Sequence, residues 1–302
     1  MDIPCFPVFV PMSLALKKAM HPVLSMTPDG VSEYTFANLY LFRSRYQYKV
    51  SWFPGSKDAL PTFIISGELN GKKFFTTPCA APDGETLSAL FDTHDYWKGI
   101  SDSVLNPKRP ALEQQGIEFA EDRDNFDYLF LRSDLAELSG KKFHKKRNLV
   151  NAFINAYSYE ERPLTAKLVP QAAEVLDRWR LDKGAEGDYA AAREALDIFE
   201  DLKMRGAMYY VDGRPAGWCL GERLTRGRMF AIHFEKAIDA YKGIYQFMNQ
   251  AFAASLPRHY IHINREQDLG DEGLRQAKMT YRPCGFVRKY LGKRTGRAAA
   301  PG

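Results

Sequence analysis

The sequence predicts an α/β (α+β) protein of two tandem domains, each a mixed, mainly antiparallel sheet flanked by helices. Its 302 residues suit two domains at about 150 residues each. In the second half, antiparallel hairpins give way to alternating helix and strand, the pattern of a mixed sheet with helices on its faces. A hairpin also recurs half a chain apart. "SGELNGKKFF" (Ser66 to Phe75) and "LGERLTRGRMF" (Leu220 to Phe230) are each a strand, a Gly-bearing turn and a returning strand. Together these place an expected boundary near residue 163, giving domains 1–163 and 164–302.

Composition narrows the class. With 45% hydrophobic and 13% aromatic residues the chain can bury a sizeable core. The net charge of +5 is mild and compatible with an anionic partner. Cys5, Cys79, Cys219 and Cys284 lack any CxxC spacing and no signal peptide is evident, so a reduced, cytoplasmic setting is expected. No apolar run approaches the ~18 residues that span a bilayer, which argues against an integral membrane protein. The tail "KRTGRAAAPG" reads as frayed.

In the first half, "YTFANLYLFRSRYQY" reads as a helix and "YKVSWF", "TFIISGEL" and "KKFFTTP" as strands, the last two joined by the turn "LNGK". Asp83 caps a helix over "DGETLSALFDTHDYW", "FDYLFLRS" alternates as a strand, and Asp134 caps a long helix from Leu135 to Ala156. Helices follow at "LVPQAAEVLDRWRLDK" and "YAAAREALDIFEDLKM". Strands "AMYYVD" and "PAGWCLGERL" flank the Asp-Gly turn "VDGR", and "RMFAIHFEKA" comes next. The helix "KGIYQFMNQAFAASL", the strand "HYIHINRE", the helix "GLRQAKMTY" and the strand "FVRKYLG" complete the chain.

The segment "LRQAKMTYRPCGF" resembles the last helix and strand of the GCN5-related N-acetyltransferase fold, in which a Tyr precedes Gly-Phe by four residues. The matching positions are Tyr281, Gly285 and Phe286. The resemblance implies that the Tyr281 hydroxyl protonates a departing thiolate. That family cradles pyrophosphate on a Gln/Arg-x-x-Gly-x-Gly/Ala turn at a helix start. Here the turn is "AYKGIYQ": Gly243 matches, but Ala240 and Tyr245 depart from the pattern, and a bulky Tyr crowds the site for coenzyme A.

"HFEKA", "YKGIYQFMNQAF", "INREQDLGDEGLRQAK" and "LSGKKFHKKRN" are similar to a bacterial family grouped with the C-terminal domain of phosphatidylglycerol lysyltransferases. This resemblance spans nearly the whole chain. It implies two tandem acetyltransferase-like domains with the site in a cleft of the second. In the lysyltransferases that fold moves lysine from lysyl-tRNA onto a lipid head group.

Charged residues cluster at expected strand ends, where ligands bind in α/β sheets. Glu235 and Lys236 end one strand; Asn264, Arg265, Glu266 and Asp268 end the next. Acyl transfer to an amine needs a base and oxyanion donors. Glu235 or Glu266 could be that base, with Arg265, Lys236 and Lys278 holding phosphate or carboxylate groups. The structural alternative pairs Arg265 with Glu235 and makes Asp268 a helix cap. His233, two residues before Glu235, shares its face, and His262 has the same spacing to Asn264. No His/Cys/Asp set has metal-ligand spacing, and no Gly-x-Ser-x-Gly or Walker loop occurs.

Lys141, Lys142, Lys145, Lys146 and Arg147 crowd one stretch, either as a solvated face or as a phosphate-contacting surface for tRNA or another polyanion. The sequence thus reads as an acyl- or aminoacyltransferase whose donor is an acyl-CoA thioester or aminoacyl-tRNA and whose acceptor is a small amine or peptide. A catalytically silent protein that binds an anionic ligand is the other reading.

Overall fold

In the computed structural model, residues 2–53, 62–184 and 186–295 are described. They fall into two compact units, Met1–Asp127 with Val287–Gly302, and Tyr128–Phe286. The division therefore lies at residue 127, not near 163, and the chain end returns to the first unit. The reason is pairing: the strand Asp127–Leu131 joins the second sheet, so everything that follows it packs there as far as Phe286.

The first unit holds β1 (Val10–Pro11), β2 (Lys49–Phe53), β3 (Thr62–Leu69), β4 (Lys72–Thr76), β5 (Tyr96–Ser101) and β6 (Ile117–Glu121). β3 and β4 form the expected hairpin, with Asn70 (φ 53°) and Gly71 (φ 74°) both left-handed as a type I′ turn requires. Asp83 does cap its helix, accepting from the Thr86 N–H at 2.8 Å. That helix ends at Thr93 because His94 is extended, and the chain leaves as β5 beside β4. The aromatic stretch Tyr34–Tyr48 is not one helix; it breaks into Phe36–Leu41 and Arg43–Tyr46, following the single turn Ser32–Tyr34.

The second unit holds β7 (Asp127–Leu131), β8 (Tyr159–Pro163), β9 (Arg205–Val211), β10 (Arg214–Leu224), β11 (Met229–Ala237), β12 (His262–Asn264) and β13 (Gly285–Val287), in the order β13-β7-β12-β11-β10-β9-β8. The repeated hairpin is β10–β11. The expected last strand divides in two, and β14 (Lys289–Arg294) inserts between β5 and β6 of the first sheet, β1-β2-β3-β4-β5-β14-β6. The long helix expected from Leu135 is also broken. Leu138 (φ 48°) and Gly140 (φ 82°) are left-handed, so Arg132–Glu137 and His144–Ala156 are separate helices. Asp134 lies inside the first of these and pairs with Lys142 instead of capping.

Each unit has its own core. Phe75, Trp97 and Leu90 pack in the first; Phe130, Phe153, Phe230 and Phe247 pack in the second. In the first unit Lys289 is wholly buried and meets Asp127 at 2.7 Å and Glu33, while Asp127 also accepts from the Ser32 N–H at 2.8 Å. None of the four cysteines is in a disulfide. No helix among the described residues is long and apolar enough to cross a membrane.

Candidate active site

The site is built where β11 and β12 part. They pair in parallel, but β12 stops opposite Ala231 while β11 runs on to Ala237. Beyond Asn264 the backbone turns to β7, with the Arg265 N–H donating to the Tyr128 carbonyl at 3.0 Å. The residues after β12 therefore meet β11 through side chains. Arg265 donates to Glu235, and His233 Nδ1 lies 2.6 Å from Glu266. On its other side, His233 Nε2 lies 3.0 Å from Glu222.

That histidine is shut away from solvent between two carboxylates. Burial alone would lower its pKa, but Glu266 and Glu222 outweigh it and push the imidazole up to about 10. It is a cation at neutral pH. Glu266 itself has φ 55°, a conformation that costs a non-glycine residue roughly 1–3 kcal/mol. Several bonds hold it there. Asn264 Oδ1 accepts from the Glu266 N–H at 2.7 Å, and the Glu266 carbonyl accepts from Tyr128 N–H and Lys278 Nζ, each at 3.2 Å.

Tyr281, at the end of the helix Glu272–Met279, packs its ring under two cations. Lys146 Nζ lies 4.2 Å from the ring centroid and the Arg265 guanidinium 5.4 Å. Burial raises the phenol pKa despite Arg265, so the hydroxyl keeps its proton. Burial, then the charge of Arg265, lowers the pKa of Lys146. Lys146 is also a wall of an open cavity of about 1080 Å³ bordered by Lys141, Lys142, Lys145, Thr280 and Arg282. A basic groove thus adjoins Tyr281.

The structure brings together Glu235, Arg265, Glu266, Asn264, His233 and Tyr281. Five other expected site residues do different work. Lys278 Nζ donates to the carbonyls of Arg265, Glu266 and Gln267, so it ties down the loop and has no donor aimed outward. Lys236 is buried on Asp188 at 2.6 Å, 3.7 Å over the Trp179 ring. Tyr245 turns its hydroxyl to the backbone of Ala237. Gly243 (φ 91°) lets the helix His144–Ala156 approach: a Cβ at Gly243 would stand 2.7 Å from the Leu149 carbonyl oxygen. Arg147 donates to the carbonyls of Leu138 and Gly140, closing the break after the Arg132–Glu137 helix, so its guanidinium is engaged by the backbone.

Asp268 is likewise not the cap of the last helix. Asp271 is, accepting from the Leu274 N–H at 2.8 Å. Asp268 instead accepts from Tyr128 at 2.6 Å and Arg275 at 2.8 Å. Burial would raise its pKa, but these donors hold the carboxyl below the usual carboxylate range. Sequence reasoning missed Glu222 altogether. Its available signal was an acidic residue closing the otherwise apolar run "GWCLGE".

A family model described as phosphatidylglycerol lysyltransferase, C-terminal, matches residues 25–292. The chain belongs to that family. Among solved structures, a conserved protein of unknown function from Bacteroides thetaiotaomicron is 28% identical, with a TM-score of 0.84 over 95% of this chain and 99% of that one. The C-terminal domain of a putative lysylphosphatidylglycerol synthetase from Agrobacterium fabrum is 16% identical, with a TM-score of 0.62 over 94% and 93%. A tandem GNAT protein from the clavulanic acid biosynthesis pathway is 10% identical, with a TM-score of 0.51 over 97% and 99%. The lysyltransferase-family chain therefore has the tandem acetyltransferase-like fold. An uncharacterized protein from Mycoplasmoides gallisepticum is 26% identical over 178 residues, 55% of this chain and 56% of that protein. The chain thus spans about half the length of that curated relative.

Proposed function

We propose that this lysyltransferase-family protein is an aminoacyltransferase that takes its aminoacyl group from an aminoacyl-tRNA and passes it to a small amine or peptide. The observation that carries this is the groove of about 1080 Å³, walled by Lys141, Lys145 and Lys146, the last with its Nζ 4.2 Å from the Tyr281 ring centroid. Lysines in such an array release counterions from a phosphate backbone. Acyl-coenzyme A is the weaker donor candidate. The Gly243 turn is packed against the Leu149 carbonyl, which leaves little of a pyrophosphate cradle.

In the reaction, Glu266 takes a proton from the acceptor ammonium, and the freed amine attacks the ester carbonyl. The new C–N bond forms and the C–O bond to the terminal ribose breaks; Tyr281 gives its proton to the departing oxygen, and the second proton lost by the attacking nitrogen restores the Tyr281 hydroxyl. The cationic His233 neutralises one of its two carboxylate neighbours and orients Glu266. Arg265 and Lys146 flank the ring of Tyr281 and lie near enough to steady the oxyanion. This chemistry belongs in the cytoplasm, where charged tRNA is made.

The test is transfer of a labelled amino acid from charged tRNA to a panel of amines and peptides, with Tyr281→Phe as the variant. A fall of about 10²–10⁴-fold in transfer with unchanged tRNA binding is expected. Tight tRNA binding with no transfer to any acceptor would instead make the protein a silent binder of an anionic ligand.

A further inference from the structure

The first unit carries a chemistry of its own. On β3, Ser66 Oγ lies 2.8 Å from His94 Nε2, just past the helix Gly84–Thr93. The other ring nitrogen, Nδ1, lies 3.0 Å from the Leu90 carbonyl oxygen and 2.9 Å from Thr93 Oγ1. A carbonyl only accepts, so Nδ1 carries the ring proton. Nε2 is then the lone pair, and Ser66 donates to it. This is the geometry of a nucleophile held by a base whose tautomer is fixed by a third group. Burial, more than any neighbouring charge, lowers the His94 pKa, so the ring is neutral and able to take a proton.

The pair opens onto a groove of about 500 Å³. Phe6 and Phe9 give it an apolar wall. Lys49 lies directly opposite Ser66 in the β2–β3 register, so both side chains emerge on one face. Lys73, opposite Glu68 in the β3–β4 register, extends that face, and Asp92 borders it. Lys49 and Lys73 share the groove with Glu68 and with Asp92, which itself pairs with Arg294 at 2.8 Å, and such a mixed lining suits an uncharged substrate better than a polyanion.

We propose that Ser66 and His94 form a second active site, independent of the transfer reaction above, that hydrolyses short uncharged acyl esters. Ser66 Oγ attacks the ester carbonyl as its proton passes to His94 Nε2. The tetrahedral oxyanion lies within the field of Lys49, then collapses and breaks the C–O bond, and the alcohol leaves with the proton from His94. Water attacks the acyl-serine with His94 again as base, which releases the acid and restores Ser66. The apolar wall at Phe6 and Phe9 takes the acyl chain.

The experiment treats the full-length protein with an aryl fluorophosphonate and maps the adduct by peptide mass spectrometry. Stoichiometric modification of Ser66 is expected, lost in Ser66→Ala and slowed about 10²–10⁴-fold in His94→Gln. Circular dichroism and the melting temperature check that both variants are folded. The mapped adduct on the parent protein needs neither variant. No adduct on folded parent, an adduct on another residue, or a rate unaltered in folded His94→Gln would each overturn the proposal and leave the Ser66–His94 bond a structural one.

Discussion

His233 lies between Glu222 and Glu266, its Nε2 3.0 Å from the first and its Nδ1 2.6 Å from the second. Three strands or their ends are joined by this one ring, since Glu222 is on β10, His233 on β11 and Glu266 beyond β12. Replacing His233 with Gln removes the cation and leaves two buried carboxylates facing each other. A loss of about 3–5 kcal/mol is expected at pH 6, the usual result of breaking a buried pair from one side. The folded pKa, pushed up to about 10, exceeds the ordinary 6.5. The stabilisation is therefore complete below about pH 6.5 and is lost as pH rises through 10. Urea unfolding of parent and variant should show a gap that closes across that window; a constant gap would mean the ring is not a cation in the fold.

Gly243 should tolerate no side chain. Ala there must take φ 91° and place its Cβ 2.7 Å from the Leu149 carbonyl oxygen. The strain alone is worth roughly 1–3 kcal/mol. Gly285, where an added Cβ meets nothing within 4 Å, is the control, expected within about 0.5 kcal/mol of the parent. Equal denaturation midpoints for the two variants would contradict the packing described.

Salt dependence reports on the basic groove. Lys141→Gln, Lys145→Gln and Lys146→Gln together should flatten the log–log slope of tRNA binding by about 0.7–0.9 for each phosphate no longer neutralised. Lys142→Gln should add less, because Lys142 already pairs with Asp134 at 2.7 Å. Filter binding at several salt concentrations measures this. An unchanged slope would make the groove a solvated face.

Arg147 should behave unlike its basic neighbours. Its bonds to the Leu138 and Gly140 carbonyls predict that Arg147→Gln costs stability, about 1–3 kcal/mol, while the salt slope stays put. A slope change as large as that of Lys145→Gln would return Arg147 to the binding face.

Much of this was legible in order along the chain. Period-two strands, the Asn-Gly and Asp-Gly turns, the Asp83 cap and the apolar helix stripes depend on neighbours a few residues apart, and sequence patterns record such local demands. The cluster Asn264, Arg265 and Glu266 was also legible, as charge placed at the end of a buried strand. What sequence left open was which charge meets which. Glu222 and Glu266 are 44 residues apart, and only the β10–β11–β12 pairing sets them on either side of His233.

The sequence by itself determined most of the elements, the two-sheet class and the residues rich in charge, but not the breaks within the aromatic stretch, the helix from Leu135 and the last strand. The tertiary structure alone decided that the chain end recrosses to the first unit, that Lys236 and Lys278 are tethers, and that Arg147 closes a helix break. These outcomes depend on long-range pairing, and on whether a buried cation finds its partner in a carboxylate, an aromatic face or a row of carbonyls. A side chain's type fixes what it can bond, but only the folded neighbourhood fixes what it does bond. The lysines at 141, 145 and 146 face an open groove, while those at 236 and 278 are enclosed, and nothing in the residue type distinguishes them.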